Sequence, residues 1–264
     1  MGKKFELTDK FIINVFGIKL FQIKCTKSFK YAQKGDLGGY VEKEGNLDQE
    51  NDAWVSGDAQ VYGNAWVSGN AQVYGDAQVS GNAWVSGNAQ VYGDAQVSGN
   101  ARVYGNAQVY GNAQVYGNAQ VYGDAWVSCN AWVYGNAKVY GNAWVYGDAR
   151  VYGDAQVYGN AQVSGNAWVY GNAWVYGNAR VYGNANIKNN NEHCGFDGFG
   201  SCNRHTHAYL TKEKKVEITC GCFRGSIEEF EKKVEETHSG TIYEKQYKAI
   251  INVIKIKFGL TDLI

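Results

Sequence analysis

Every sixth residue from Ala53 to Ala185 is alanine, twenty-three in unbroken series. Two positions after each stands a valine, Val55 through Val181, and Ile187 closes the row. The unit reads Ala-x-Val-(Tyr/Ser)-Gly-(Asn/Asp) and fills half of the chain, with Cys129 alone replacing the glycine. A period this strict dictates the architecture, because identical short units cannot each bury an apolar face alone and must stack. Ala-x-Val-Tyr alternates small, variable, branched and aromatic, which is the signal of a half-buried strand. Ala and Val point one way; the variable residue and Tyr/Ser point the other. Gly-Asn or Gly-Asp then supplies a corner, since these types tolerate positive φ. Strand and corner every six residues wind one way around an axis and give a parallel β-helix.

The Val-Tyr-Gly-Asn-Ala-Gln units resemble the hexapeptide repeat of left-handed parallel β-helix proteins, aliphatic at one position and small four later. The resemblance covers 52–188 and implies left-handed winding with three hexapeptides per coil. It departs from that family in placing Tyr or Ser directly after the aliphatic residue. Between seven and eight coils result, a rod roughly 37 Å long. The predicted fold is therefore an all-β solenoid, a left-handed parallel β-helix over 52–188. An N-terminal β cap over 1–51 and a C-terminal α+β cap over 189–264 flank it.

The ends lack the period. Phe11–Ile23 reads as two β runs around Phe16-Gly17, and Leu47 falls in the alanine slot of an imperfect first corner. Lys34–Glu42 with Asn51–Val55 resembles the entry segment of hexapeptide-repeat proteins from phages, prophages and enterobacteria. Beyond residue 189, His205–Thr211 and Val216–Phe223 form a predicted hairpin. Ser226 and Glu229 make a capping box before a helix lined by Ile227, Phe230 and Val234, and Gly240 stops it. A second helix carries Tyr243, Tyr247, Ile250, Ile251, Ile254 and Phe258. Cys220–His238 resembles a C-terminal module recurrent in phage proteins. Both resemblances imply a bacteriophage or prophage setting.

Charge excludes some partners. Twenty-five basic residues balance twenty-five acidic ones, and no basic stripe exists for nucleic acid. Phe11–Phe21 contains Lys19 and is too short to span a bilayer, so no membrane is expected. Six irregularly spaced cysteines without an export signal favour a reducing cytoplasm. Proline is absent, as suits coils that need every backbone donor.

Hexapeptide acyltransferases use a histidine base and loops that leave the helix to wall a cleft. Here no histidine precedes His193 and no insertion breaks the repeat, so acyl transfer is disfavoured and no catalytic residue is assigned. Cys194, Cys202, His205, His207, Cys220, Cys222 and His238 are candidate ligands for a structural zinc ion, although their spacing is poor. No other cofactor is expected.

Outward residues eighteen apart stack, so ladders follow directly. Tyr116, Tyr134, Tyr152 and Tyr170 form one; Tyr104, Tyr122, Tyr140, Tyr158 and Tyr176 form another. Trp132, Arg150 and Trp168 stack consecutively, a guanidinium between indoles. All eight tryptophans are expected to face outward. Such ladders stabilise coils by themselves, yet a large aromatic surface also suits a partner. Threonine is absent from the repeat, which argues against ice binding. The predicted function is a non-enzymatic scaffold that binds a host or phage protein, inhibition of a host defence factor included. A second copy of the chain is a further possible partner. Carbohydrate binding is the second reading, a hexapeptide acyltransferase the third.

Overall fold

A computed structural model describes residues 2–260. It opens with β1 (Phe5–Ile13), β2 (Lys19–Cys25) and β3 (Leu37–Val41). Twenty-three two-residue strands follow, from β4 (Trp54–Val55) to β26 (Asn186–Ile187), each a variable residue and its valine, or in β26 its isoleucine. From β4 to β23 each strand pairs in parallel with the one three repeats on, so Val91 lies beside Val109. Eighteen residues thus close one coil, and the chain is a parallel β-solenoid with three sheets of eleven, eight and seven strands. We number the faces by first appearance: the first begins at Trp54–Val55, the second at Gln60–Val61, the third at Trp66–Val67.

The alternation explains the packing. All repeat alanines and valines are buried in one continuous core. Ala and Val side chains are small enough to fill a narrow three-sided interior. Between coils the backbone closes the ladder, with Gln90 N–H donating to Ala107 C=O at 2.9 Å and Tyr92 N–H to Val109 C=O at 3.0 Å. Corner asparagines add a second ladder outside. Asn100 Nδ2 donates to Asn118 Oδ1 at 3.0 Å, Asn118 to Asn136 at 3.1 Å, and Asn136 to Asp154 at 3.0 Å. A carboxylate only accepts, so the amide chain stops at Asp154.

Both ends of the rod are closed by side chains that satisfy stranded backbone groups. At the N-terminal end Tyr40 and Val41 pair with Gln60 and Val61, and Leu47 bridges Val67. Leu47 therefore occupies the valine slot, not the alanine slot the sequence suggested, because the opening turn is two residues longer than a regular coil. Buried Asn46 donates to the carbonyls of Gly63 and Ala65 at 3.1 and 2.8 Å. The Lys4 ammonium donates to the carbonyls of Asn51 and Ala53. Burial lowers its pKa to about 8, against the opposing pull of Asp48 and Asp52. Trp54 is a second correction. Phe29 of the N-terminal cap covers it edge-on at 5.4 Å, leaving it buried.

The C-terminal unit is an antiparallel sheet of β27 (His193–Phe199), β28 (Arg204–Leu210), β29 (Val216–Cys220) and β30 (Phe223–Gly225), with α1 (Ile227–His238) and α2 (Ile242–Lys257). The hairpin β28–β29 and both helices follow the sequence reading. Strand β27 does not, because Gly195 and Gly198 disguise it. One sheet face packs Ala208, Ile218 and Cys220 on Phe230, Val234 and Ile254 of the helices. The other sends Tyr209 into the solenoid core. Arg180 C=O, on an edge strand of the last coil, accepts from Thr219 Oγ1 at 3.0 Å and faces His207 Nδ1 at 3.4 Å. Trp174 N–H, on another edge, donates to Asn190 Oδ1 at 2.8 Å. Among the described residues no helix is long and apolar enough to cross a membrane.

Candidate functional site

The outer faces carry the aromatic ladders, and strand register sets them. Each tyrosine follows a valine whose partner lies eighteen residues on, so ring stands over ring. On the second face Tyr116, Tyr134, Tyr152 and Tyr170 stack with centroids 4.9, 4.8 and 4.9 Å apart. On the third face Tyr104, Tyr122, Tyr140 and Tyr158 stack at 4.8, 4.9 and 4.9 Å, and Tyr176 follows at 5.4 Å. A ladder on the first face, Tyr74, Tyr92 and Tyr110, was not singled out from sequence; its centroids are 4.8 and 4.9 Å apart. Its signal was the same eighteen-residue spacing, obscured because Ser128 and Ser164 interrupt the series. Tyr140 Oη donates to Gln156 Oε1 at 3.2 Å, one coil on, which fixes the ring's direction.

The near-parallel stacking has a chemical consequence. Ring faces are consumed between coils, and the surface displays ring edges and phenolic hydroxyls. Desolvation raises the pKa of Tyr122, with neighbouring Tyr104 and Tyr140 adding to it. Tyr134 is raised by the same burial, against the pull of Arg150. On the second face Arg150 lies 4.7 Å from the Trp132 ring and 5.4 Å from that of Trp168, and Lys212 of the cap lies 4.3 Å from Trp168. The expected Trp–Arg–Trp stack therefore exists and extends by one cation into the cap.

The seven residues weighed for zinc are divided by the period-2 alternation of the cap strands. Cys194 and Cys220 lie on the helix side of the sheet, while Cys202 and Cys222 are exposed. His238 stacks on Tyr247 at 5.5 Å. His205 and His207 lie on the solenoid side, joined there by His193, whose Nδ1 is 3.0 Å from His207 Nε2. Among the described residues no three His, Cys, Asp or Glu side chains converge to hold a metal ion.

This solenoid-side histidine group borders a cavity of about 610 Å³ between the last coil and the cap. Burial, then the charge of Lys257, lowers the His193 pKa to about 4, and burial also holds that of His207 well below its ordinary value. Both are neutral near pH 7. Asp197 Oδ1 lies 2.7 Å from His205 Nδ1, and His205 Nε2 has no hydrogen-bond partner. A carboxylate orienting an imidazole is half of a nucleophile–base arrangement. The other half is missing among the described residues, because no hydroxyl or thiol is hydrogen-bonded to Nε2.

Stacked coils of parallel strands around an alanine–valine core, closed at both ends, define the class as a β-solenoid repeat protein. Within the solenoid, eleven segments between residues 59 and 187, each about one coil long, match the YdcK Beta solenoid repeat. No curated protein matches the chain.

Proposed function

We propose that the chain is a non-enzymatic interaction scaffold of bacteriophage or prophage type that binds a host or phage protein through its second face. The observation that carries this reading is the run of Tyr116–Tyr170 rings beside the Trp132–Arg150–Trp168 stack. Tyr, Trp and Arg are the side chains that dominate protein interfaces. Here they are held by their neighbours before any partner arrives, so little rotamer entropy remains to be lost on binding. The edge-on display of the rings favours a protein partner over a polysaccharide lying along the ladder, which would need open ring faces. The entry and C-terminal segments that resemble phage proteins support a site of action in the cytoplasm of an infected or lysogenic bacterium. Host defence factors are among the targets such a scaffold would have there.

Affinity purification from the infected host, followed by reconstitution with the purified partner, tests the reading. Tyr134→Ser with Tyr152→Ser is the control, since Ser80 and Ser98 already occupy the equivalent positions on this face. Stability should fall by only about 1–2 kcal/mol. Affinity should fall by about thirtyfold or more, the effect of losing an aromatic hot spot. A wild-type chain that retains no protein, or a double variant that binds normally, would sink the proposal.

A further inference from the structure

We propose that the cavity between the last coil and the C-terminal cap binds a neutral saccharide ring. The third-face ladder ends here. Tyr122, Tyr140 and Tyr158 each lie between two stacked rings, but Tyr176 has only Tyr158 beneath it and is 54% exposed. Trp174, two residues earlier on the terminal strand of that face, is 45% exposed. The ring faces that coil stacking consumes elsewhere are thus left open at this end, and both residues line the cavity. Its volume of about 610 Å³ suits a small ligand.

The opposite wall is polar. Asn190, Asp197, His205 and Lys257 line it. The His205 side chain is nine-tenths buried, with Nδ1 held by Asp197 at 2.7 Å. Its Nε2 is left without a partner, and a buried polar atom in that state costs free energy until something pairs with it. Gly195 beside it is bare: a Cβ there would stand 2.8 Å from that nitrogen and crowd the ring. A ligand hydroxyl is the group that fits. Lys257 and Asp197 offset each other in charge, and burial keeps His193 and His207 neutral. An anion or a cation would therefore meet no net opposite charge. A ring with an apolar C–H face and several hydroxyls matches both walls, stacking on Trp174 or Tyr176 and hydrogen-bonding to Asp197, His205 and Lys257.

The test is calorimetry and saturation-transfer NMR of the full chain with cellotriose, maltotriose, tri-N-acetylchitotriose and lactose, with adenosine and inorganic phosphate as contrasting probes. At least one sugar should bind, and neither contrasting probe should. Trp174→Gln and Tyr176→Ser should each weaken that sugar about tenfold or more. Both variants suit the coil, since Gln156 and Ser86 stand at equivalent sites on the same face. Tyr116→Ser, on the second face, should leave sugar affinity unchanged while remaining available to the protein-binding assay. The proposal is overturned if no sugar binds at about 10 mM. It is equally overturned if Trp174→Gln binds as tightly as the parent, or if adenosine or phosphate is preferred.

Discussion

The hydroxyl of Tyr209 accepts a hydrogen bond from the backbone N–H of Tyr182 at 3.3 Å and donates one to Glu217 Oε1 at 2.6 Å. One cap side chain thus stands in for the missing next coil. Tyr209→Phe keeps the ring in the core but removes the acceptor, stranding the Tyr182 N–H. The expected loss is about 1–3 kcal/mol, with faster hydrogen exchange confined to the Tyr182 amide and its neighbours. Exchange at that amide equal to the parent's would show the contact to be unimportant.

Cys129 has φ of 58°, the left-handed conformation that every other corner of the repeat gives to glycine. Asn130, the next residue of the corner, does not have positive φ. A side chain in this region is strained. Cys129→Gly should therefore raise stability by about 1 kcal/mol, seen as a higher urea midpoint with an unchanged slope. An unchanged or lower midpoint would show that the corner accommodates the cysteine without strain.

The eighteen-residue coil was legible because Ala and Val repeat where only small or branched side chains fit, and register then followed for the tyrosines. The α1 capping box was legible too, and Ser226 and Glu229 make both reciprocal bonds. Local signals failed where contacts are distant. Trp54 is covered by Phe29, and β27 exists because β28 gives it a partner. Residues at the junction, Trp174, Asn190, Asp197 and Lys257, meet through packing that no periodicity encodes. Spacing also placed the ring ladders without revealing that stacking hides their faces.

Deleting residues 189–264 should convert a capped rod into an associating one. The truncation removes Asn190, His207, Tyr209 and Thr219, which serve Trp174 N–H, Arg180 C=O and Tyr182 N–H. It also bares the last strands of all three sheets, and unpaired strand edges template further pairing. Light scattering should show larger species or aggregates relative to the parent. A truncated chain that keeps the parent's oligomeric state would mean that the last coil needs no cap and that the C-terminal unit is an appendage.

Acid should loosen the same junction. The folded chain holds the His193 pKa at about 4, and that of His207 well below the ordinary value of 6.5. Burial is the main cause for both. Well above pH 6.5 both are neutral folded or unfolded, and their titration has no effect. Below it the unfolded chain takes up protons that the folded chain refuses, so the unfolding free energy falls as the pH falls. The slope approaches about 1.4 kcal/mol per pH unit for each histidine. His193 alone accounts for a loss on the order of 3 kcal/mol by pH 4. Denaturant titrations at pH 7 and pH 5 should show the drop, with early hydrogen exchange at Arg180–Tyr182 and β28. His193→Gln with His207→Gln removes both titrating groups and should flatten the dependence between these pH values, whatever its effect on stability at pH 7. If the double variant keeps the parent's slope, the acid sensitivity comes from elsewhere and the buried histidines are not its source.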